Sequence, residues 1–115
     1  MNVTILHNPK CSTSRTVLAM IREAGHEPQI VEYLKHPPTR QELVRILVAQ
    51  EMEPRQLMRR KEAIYKELKL DDENLSDNQL LDAMMGNPIL IERPVVITEK
   101  GVRLCRPKEL VQEIL

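Results

Sequence analysis

The first 34 residues constrain the fold more than any other part of the chain. Val3-Thr4-Ile5-Leu6 is a short β-rich run, too apolar for a half-exposed strand and suited to a central strand buried on both faces. His7-Asn8-Pro9-Lys10 interrupts it. A helix is predicted next. Ser12, Thr13 and Ser14 supply capping chemistry, Val17, Leu18, Met20 and Ile21 recur at helical spacing, and Gly25 serves as the C-cap. Pro28 to Leu34 then reads as a second strand. Strand, helix and strand within about 30 residues form a βαβ unit, and the handedness of its crossover makes the two strands parallel neighbours.

The block from Pro38 to about Met85 reads as helical throughout. Thr39 with Glu42 three residues on is a capping box, and Leu43, Ile46 and Leu47 give that helix its apolar stripe. Pro54 opens a second short helix carrying Leu57 and Met58. Ala63 to Leu68 reads as a third turn or two, and Ser76 to Met85 as a fourth helix, stopped by Gly86-Asn87-Pro88. A strand Pro94–Thr98, the turn Glu99-Lys100-Gly101 and a returning strand Val102–Cys105 predict an antiparallel hairpin. Pro107 then begins a last helix, Lys108 to Ile114, with proline at its first helical position. The expected fold is α/β: one thioredoxin-like domain over residues 1–115, with a central mixed β-sheet. A helical insertion, about 38–86, separates the βαβ unit from the C-terminal hairpin and helix.

Leu, Ile and Val number 15, 9 and 9, well above a disordered composition. With no Phe or Trp and two Tyr, the core must be aliphatic, with six Met as fillers. Seventeen basic side chains balance 17 acidic ones, which argues against a broad nucleic-acid-binding face. The scarcity of aromatics argues against base stacking. No apolar run approaches the roughly 18 residues needed to span a membrane. The start, Met1 to His7, has no basic region and no long apolar stretch, so it does not read as a signal peptide and the expected compartment is the cytoplasm.

Two cysteines, Cys11 and Cys105, make no disulfide framework, and in a reducing compartment both are thiols. Cys11 stands between the first strand and the first helix. Free backbone N–H groups of Ser12, Thr13 and Ser14 should point toward its sulfur and carry the positive end of the helix dipole. That setting favours the thiolate, and the same groups form a cradle for a tetrahedral oxyanion. The Ser14 hydroxyl, three residues on, can reach the sulfur, and His7 and Lys10 lie close enough in sequence to add positive charge. A cysteine-phosphatase loop needs Cys-x5-Arg, but Arg15 is four residues after Cys11; a dithiol motif needs Cys-x-x-Cys, but position 14 is Ser. The thiol is therefore a lone nucleophile, and a second thiol comes from outside or from Cys105. Cys105 reads as a buried strand residue on the face opposite Arg106, with a disulfide to Cys11 as the alternative.

His7-Asn8-Pro9-Lys10-Cys11-Ser12-Thr13-Ser14-Arg15 resembles the signature of the glutaredoxin-coupled arsenate reductase (ArsC) family. Leu57 to Glu62, Asn87 to Val96 and Arg103 to Pro107 resemble later family segments in the same order, so the likeness covers essentially the whole chain. The family's best-studied members have Gly where this chain has Ser12, and its longer enzymes extend beyond the last helix, where this sequence stops at Leu115. The resemblance implies an arsenate reductase of the cytoplasm. Cys11 would be the nucleophile that forms a thioarsenate intermediate, and Arg59, Arg93 and Arg106 would bind the oxyanion and stabilise the transition state. Ser14 and His7 would support the thiolate. Arginine suits that task because it stays charged and its planar fork matches tetrahedral oxyanions. Arg55 and Arg60 compete with Arg59 for its role. The likeness to thioredoxin-like proteins also predicts a cis Arg93-Pro94 bond facing the thiol. Glutathione is the implied co-substrate and glutaredoxin the implied partner, with a monomer expected and no bound cofactor, no nucleic acid and no membrane. No metal is implied, because His7, His26 and His36 show no ligand spacing with Cys or acids. Two other readings remain open: a glutathione- or glutaredoxin-dependent thiol oxidoreductase without arsenate turnover, and a non-enzymatic regulator of the same fold that binds RNA polymerase.

Overall fold

A computed structural model describes residues 1–115. The chain divides into two compact units, Met1–His36 with Arg93–Leu115, and Pro37–Glu92.

The first unit holds β1 (Val3–His7), α1 (Ser12–Glu23), β2 (Gln29–Glu32), β3 (Val95–Thr98), β4 (Gly101–Leu104) and a 3-10 segment, Lys108–Glu113. The sheet order is β2-β1-β3-β4. β1 runs parallel to β2, with Ile5 opposite Ile30, and antiparallel to β3, with Ile5 opposite Val96. β3 and β4 form the hairpin, Val95 opposite Leu104. The mixed sheet and the α1 crossover are those of the thioredoxin-like fold. Four of the five β1 residues are buried, as a central strand requires. β2 is shorter than the predicted Pro28–Leu34. It lies at the sheet edge with Gln29 and Ile30 exposed, so fewer of its residues find ladder partners.

α1 buries Val17 and Ile21 against a core of Val3, Ile5, Val96, Cys105, Val111 and Ile114. Its end is a two-bond cap: the Gly25 N–H donates to the Arg22 carbonyl at 3.0 Å and the His26 N–H to the Ile21 carbonyl at 3.2 Å. Gly25 has φ +91, a conformation in which a Cβ would be strained, and it stands one residue past the C-cap, Ala24. The last element is a 3-10 segment and not the predicted α-helix, and Pro107 is its N-cap and not its first residue. Val111 and Ile114, three apart, are both buried and fall on one side of the segment. Thr98 Oγ1 pins the end by donating to the Ile114 carbonyl at 2.7 Å.

The second unit holds α2 (Arg40–Ala49), α3 (Ala63–Glu67), α4 (Asp77–Gly86) and 3-10 segments Pro54–Leu57 and Pro88–Leu90. Capping boxes start α2, through Thr39 and Glu42, and α4, through Ser76 and Gln79. Each supplies about 1 kcal/mol of helix stability. α2 buries Leu43, Ile46 and Leu47, and α4 buries Leu80, Leu81 and Met84; the two helices pack together. The unit is not helical throughout. Met58 is extended and bridges Ile91, the Arg59 N–H donates to the Leu90 carbonyl, and the Glu92 N–H donates to the Leu57 carbonyl, both at 2.7 Å. These bonds carry the unit on to Glu92, beyond the predicted limit near residue 86. Leu90 and Ile91, both fully buried, explain why the chain does not leave earlier. No helix is long and apolar enough to cross a membrane.

Candidate active site

Cys11 is placed by a turn that the sequence itself dictates. β1 ends at His7, and Pro9 cannot continue the ladder. The Cys11 N–H closes the turn by donating to the Asn8 carbonyl, and the Lys10 N–H donates to Asn8 Oδ1, both at 3.0 Å. Arg15 Nη1 donates to the Pro9 carbonyl at 2.9 Å. The Cys11 carbonyl then accepts the first helical bond, from the Arg15 N–H at 3.0 Å. Cys11 is thus the N-cap of the 12-residue α1, with φ −93 and ψ 122.

Its side chain closes no capping hydrogen bond of its own, so the α1 amides act on the sulfur as aimed dipoles. Partial burial pushes the thiol up. Against it work the Ser14 N–H, the Arg93 side chain as donor and as charge, and the Thr13 N–H, which together hold the thiol below its ordinary value. Arg93 precedes β3 and is cis-linked to Pro94, as predicted; Arg106-Pro107 is also cis, which was not predicted. Arg106, exposed, donates from Nη1 to the Arg93 carbonyl at 3.2 Å, so two of the three arginines expected to hold the oxyanion are tied together through the Arg93 backbone.

Two predicted helpers behave otherwise than expected. The Ser14 hydroxyl does not serve the sulfur. It is fully buried, lies 2.6 Å from His7 Nδ1, and accepts the Asn8 N–H at 3.1 Å. Ser14 reaches the thiol through its backbone alone. His7 is buried and does not add positive charge. Burial lowers its pKa below the ordinary 6.5, Glu32 opposes this, and Arg22 and Arg15 reinforce it, so the ring is neutral at neutral pH. The pair secures the turn under Cys11 and contributes no charge. Lys10 is exposed.

Cys105 is the opposite kind of thiol. It is wholly buried in the core, and burial pushes it up to about 12. Its Sγ–H points at the Arg103 carbonyl, 3.5 Å away, and both cysteines are free, so the alternative of a Cys11–Cys105 disulfide is not realised. Arg59 belongs to the other unit. Its Nη1 lies 2.7 Å from Glu62 Oε1 and its Nε 3.5 Å from Glu92 Oε1. Of the two competing arginines, Arg55 donates to the Leu70 and Asp72 carbonyls, at 3.1 and 2.6 Å, and Arg60 is exposed.

Chemically, the first unit offers a stabilised thiolate facing a guanidinium, with helix amides able to receive oxyanion oxygens. Sequence reasoning missed Asn8. Its signal was the Asn-Pro pair, which favours a side-chain-closed turn.

The ArsC family profile matches residues 6–114. An arsenate reductase of Rhizobium meliloti is 55% identical over 115 residues, all of this chain and 82% of that protein. An arsenate reductase of Escherichia coli K12 is 50% identical over 114 residues, 99% of this chain and 81% of that protein. Among solved structures, an arsenate reductase from Vibrio cholerae superposes with a TM-score of 0.96 at 47% identity, covering 100% of this chain and 98% of that one.

Proposed function

The chain belongs to the ArsC family, and from that footing we propose that it is an arsenate reductase. It converts arsenate to arsenite through the Cys11 thiolate, with glutathione and glutaredoxin as thiol donors. The observation that carries the reading is the meeting of the Arg93 side chain with the Cys11 sulfur at the start of α1.

A thiolate and an arsenate are both anions, so attack needs cations to neutralise the charge that builds in the transition state. Arg93 and Arg106 are the two this unit supplies, and Arg59 is a third assigned by family resemblance. Cys11 attacks arsenic(V); a sulfur–arsenic bond forms and an oxygen leaves as water or hydroxide. A glutathione thiolate then attacks the Cys11 sulfur. A sulfur–sulfur bond forms, the sulfur–arsenic bond breaks, and its electron pair stays on arsenic, which departs as arsenite. Glutaredoxin removes the glutathione from the mixed disulfide and returns the Cys11 thiol. Two electrons pass from two thiols to one arsenic, so no second cysteine of this chain is required.

The test is arsenate-dependent NADPH oxidation with glutathione, glutathione reductase and glutaredoxin. Turnover is expected in wild type and Cys105→Ser, none in Cys11→Ser, and a raised KM for arsenate in Arg59→Ala. Activity persisting in Cys11→Ser would sink the mechanism, and a wild-type chain that leaves arsenate unreduced would sink the substrate.

A further inference from the structure

A recess of about 280 Å³ lies in the first unit, bounded by Thr13, Arg106, Pro107, Lys108 and Glu109. We propose that it is the subsite for glutathione, with Lys108 holding the carboxylate and Glu109 the ammonium of the γ-glutamyl end. This deepens the reading of Cys11 as a nucleophile served by an external thiol, and rests on it.

Position is the first argument. One wall of the recess adjoins the thiol, and a second is tied to a residue that does. Thr13 turns its N–H toward the Cys11 sulfur, and Arg106 donates to the carbonyl of Arg93, whose side chain meets that same sulfur. A peptide seated there has its cysteine within reach of Cys11.

Charge is the second. A small oxyanion is held chiefly by cations and N–H donors. This recess carries both signs: Arg106 and Lys108 against Glu109. Glutathione is the complement, with two carboxylates and one ammonium. Its γ-glutamyl end bears a carboxylate and an ammonium on a single carbon, so adjacent residues of opposite charge suit it. Neighbours in sequence do not satisfy one another across a helical turn, and neither Lys108 nor Glu109 forms an ion pair. Glu113 of the same segment, by contrast, is taken by Arg103 at 2.9 Å. Both free side chains are exposed, as suits a co-substrate that must arrive and leave each cycle.

The reaction chosen for the test does not need arsenate. Cys11 attacks glutathione disulfide; a bond forms between Cys11 and one glutathione, the original sulfur–sulfur bond breaks, and the second glutathione leaves as thiolate. The rate of the mixed-disulfide mass increase is measured for the full chain, with glutathione disulfide and with the uncharged 2-hydroxyethyl disulfide. Wild type is compared with Lys108→Glu and Glu109→Lys. The ratio of the two rate constants is expected to fall about tenfold in Lys108→Glu and severalfold in Glu109→Lys, as befits reversed charges at exposed sites. An unchanged ratio in both variants overturns the subsite, and so does an equal fall with both disulfides, because the substitutions then act on the thiol itself. A wild-type Cys11 that ignores glutathione disulfide also overturns it. A chain that shows the ratio change yet never reduces arsenate ends the arsenate reading and leaves the subsite standing.

Discussion

Raising the pH from 8 to 10 should destabilise the fold by about 1.4 kcal/mol through a single buried thiol. In the native chain Cys105 stays protonated, because burial among Val3, Ile5, Val96 and Ile114 pushes it up to about 12. In the unfolded chain it ionises near the ordinary 9.0. Unfolding therefore releases a proton once the pH exceeds the unfolded value. The stability that Cys105 lends is fully present below pH 9 and is lost progressively as the pH climbs toward 12. At pH 10 the unfolded thiol is ionised about ten to one, which multiplies the unfolded population by roughly ten, or about 1.4 kcal/mol. The native value barely enters this figure, since any value well above 10 gives the same result. The assay is urea unfolding of wild type and Cys105→Ala at both pH values. Alanine lowers the baseline by about 1 kcal/mol through lost packing but has nothing to ionise. Wild type's advantage over the variant should therefore shrink by about 1.4 kcal/mol between pH 8 and 10. Tyrosines, lysines and Cys11 ionise alike in both chains and cancel. A difference that stays constant with pH would refute the reasoning, because Cys105 would then have to ionise in the folded state. The consequence reaches the chemistry: with Cys105 silent, an alkylating reagent applied to the native chain should label Cys11 alone.

Three further outcomes follow from named contacts. Arg93→Ala removes the donor and the charge that oppose burial at Cys11, so the thiolate's ultraviolet absorbance should appear at higher pH than in wild type; an unmoved midpoint would contradict the assignment. Ser14→Ala strands the Asn8 N–H and His7 Nδ1 and should cost about 1–3 kcal/mol in urea unfolding, with a loss within error counting against the buried pair. Glu51 closes α2 with φ 51, where glycine is the unstrained choice; Glu51→Gly should stabilise by about 0.5–1 kcal/mol, and a destabilised variant would show that the side chain has another task.

What could be read from the sequence was whatever depends on neighbours along the chain. β1, α1 and the Thr39–Glu42 capping box rest on periodicity and on residues three or four apart, and they stand where the sequence put them. Cys11 at the N-cap is of the same kind, because Asn8-Pro9 ends the strand and the next residues start the helix. The misses depend on what packs against a residue from afar. His7 looked like a nearby cation, but it is the last residue of a central strand, and burial there removes the charge that proximity suggested. The Ser14 hydroxyl looked free to reach the sulfur, yet His7, seven residues back, holds it. Arg55, Arg59 and Arg60 are indistinguishable as letters. Their surroundings differ through distant partners: the Leu70 carbonyl, 15 residues on, engages Arg55, and Glu92 engages Arg59. The last segment was misread because its α-helical and 3-10 alternatives share the proline start and both bring Val111 and Ile114, three apart, to one side, so the letters do not separate them. The same logic explains why Lys108 and Glu109 raised no signal. Two adjacent opposite charges are commonplace in a chain with 30% charged residues, and they become a binding surface only when the fold sets them against the wall that the reactive thiol shares.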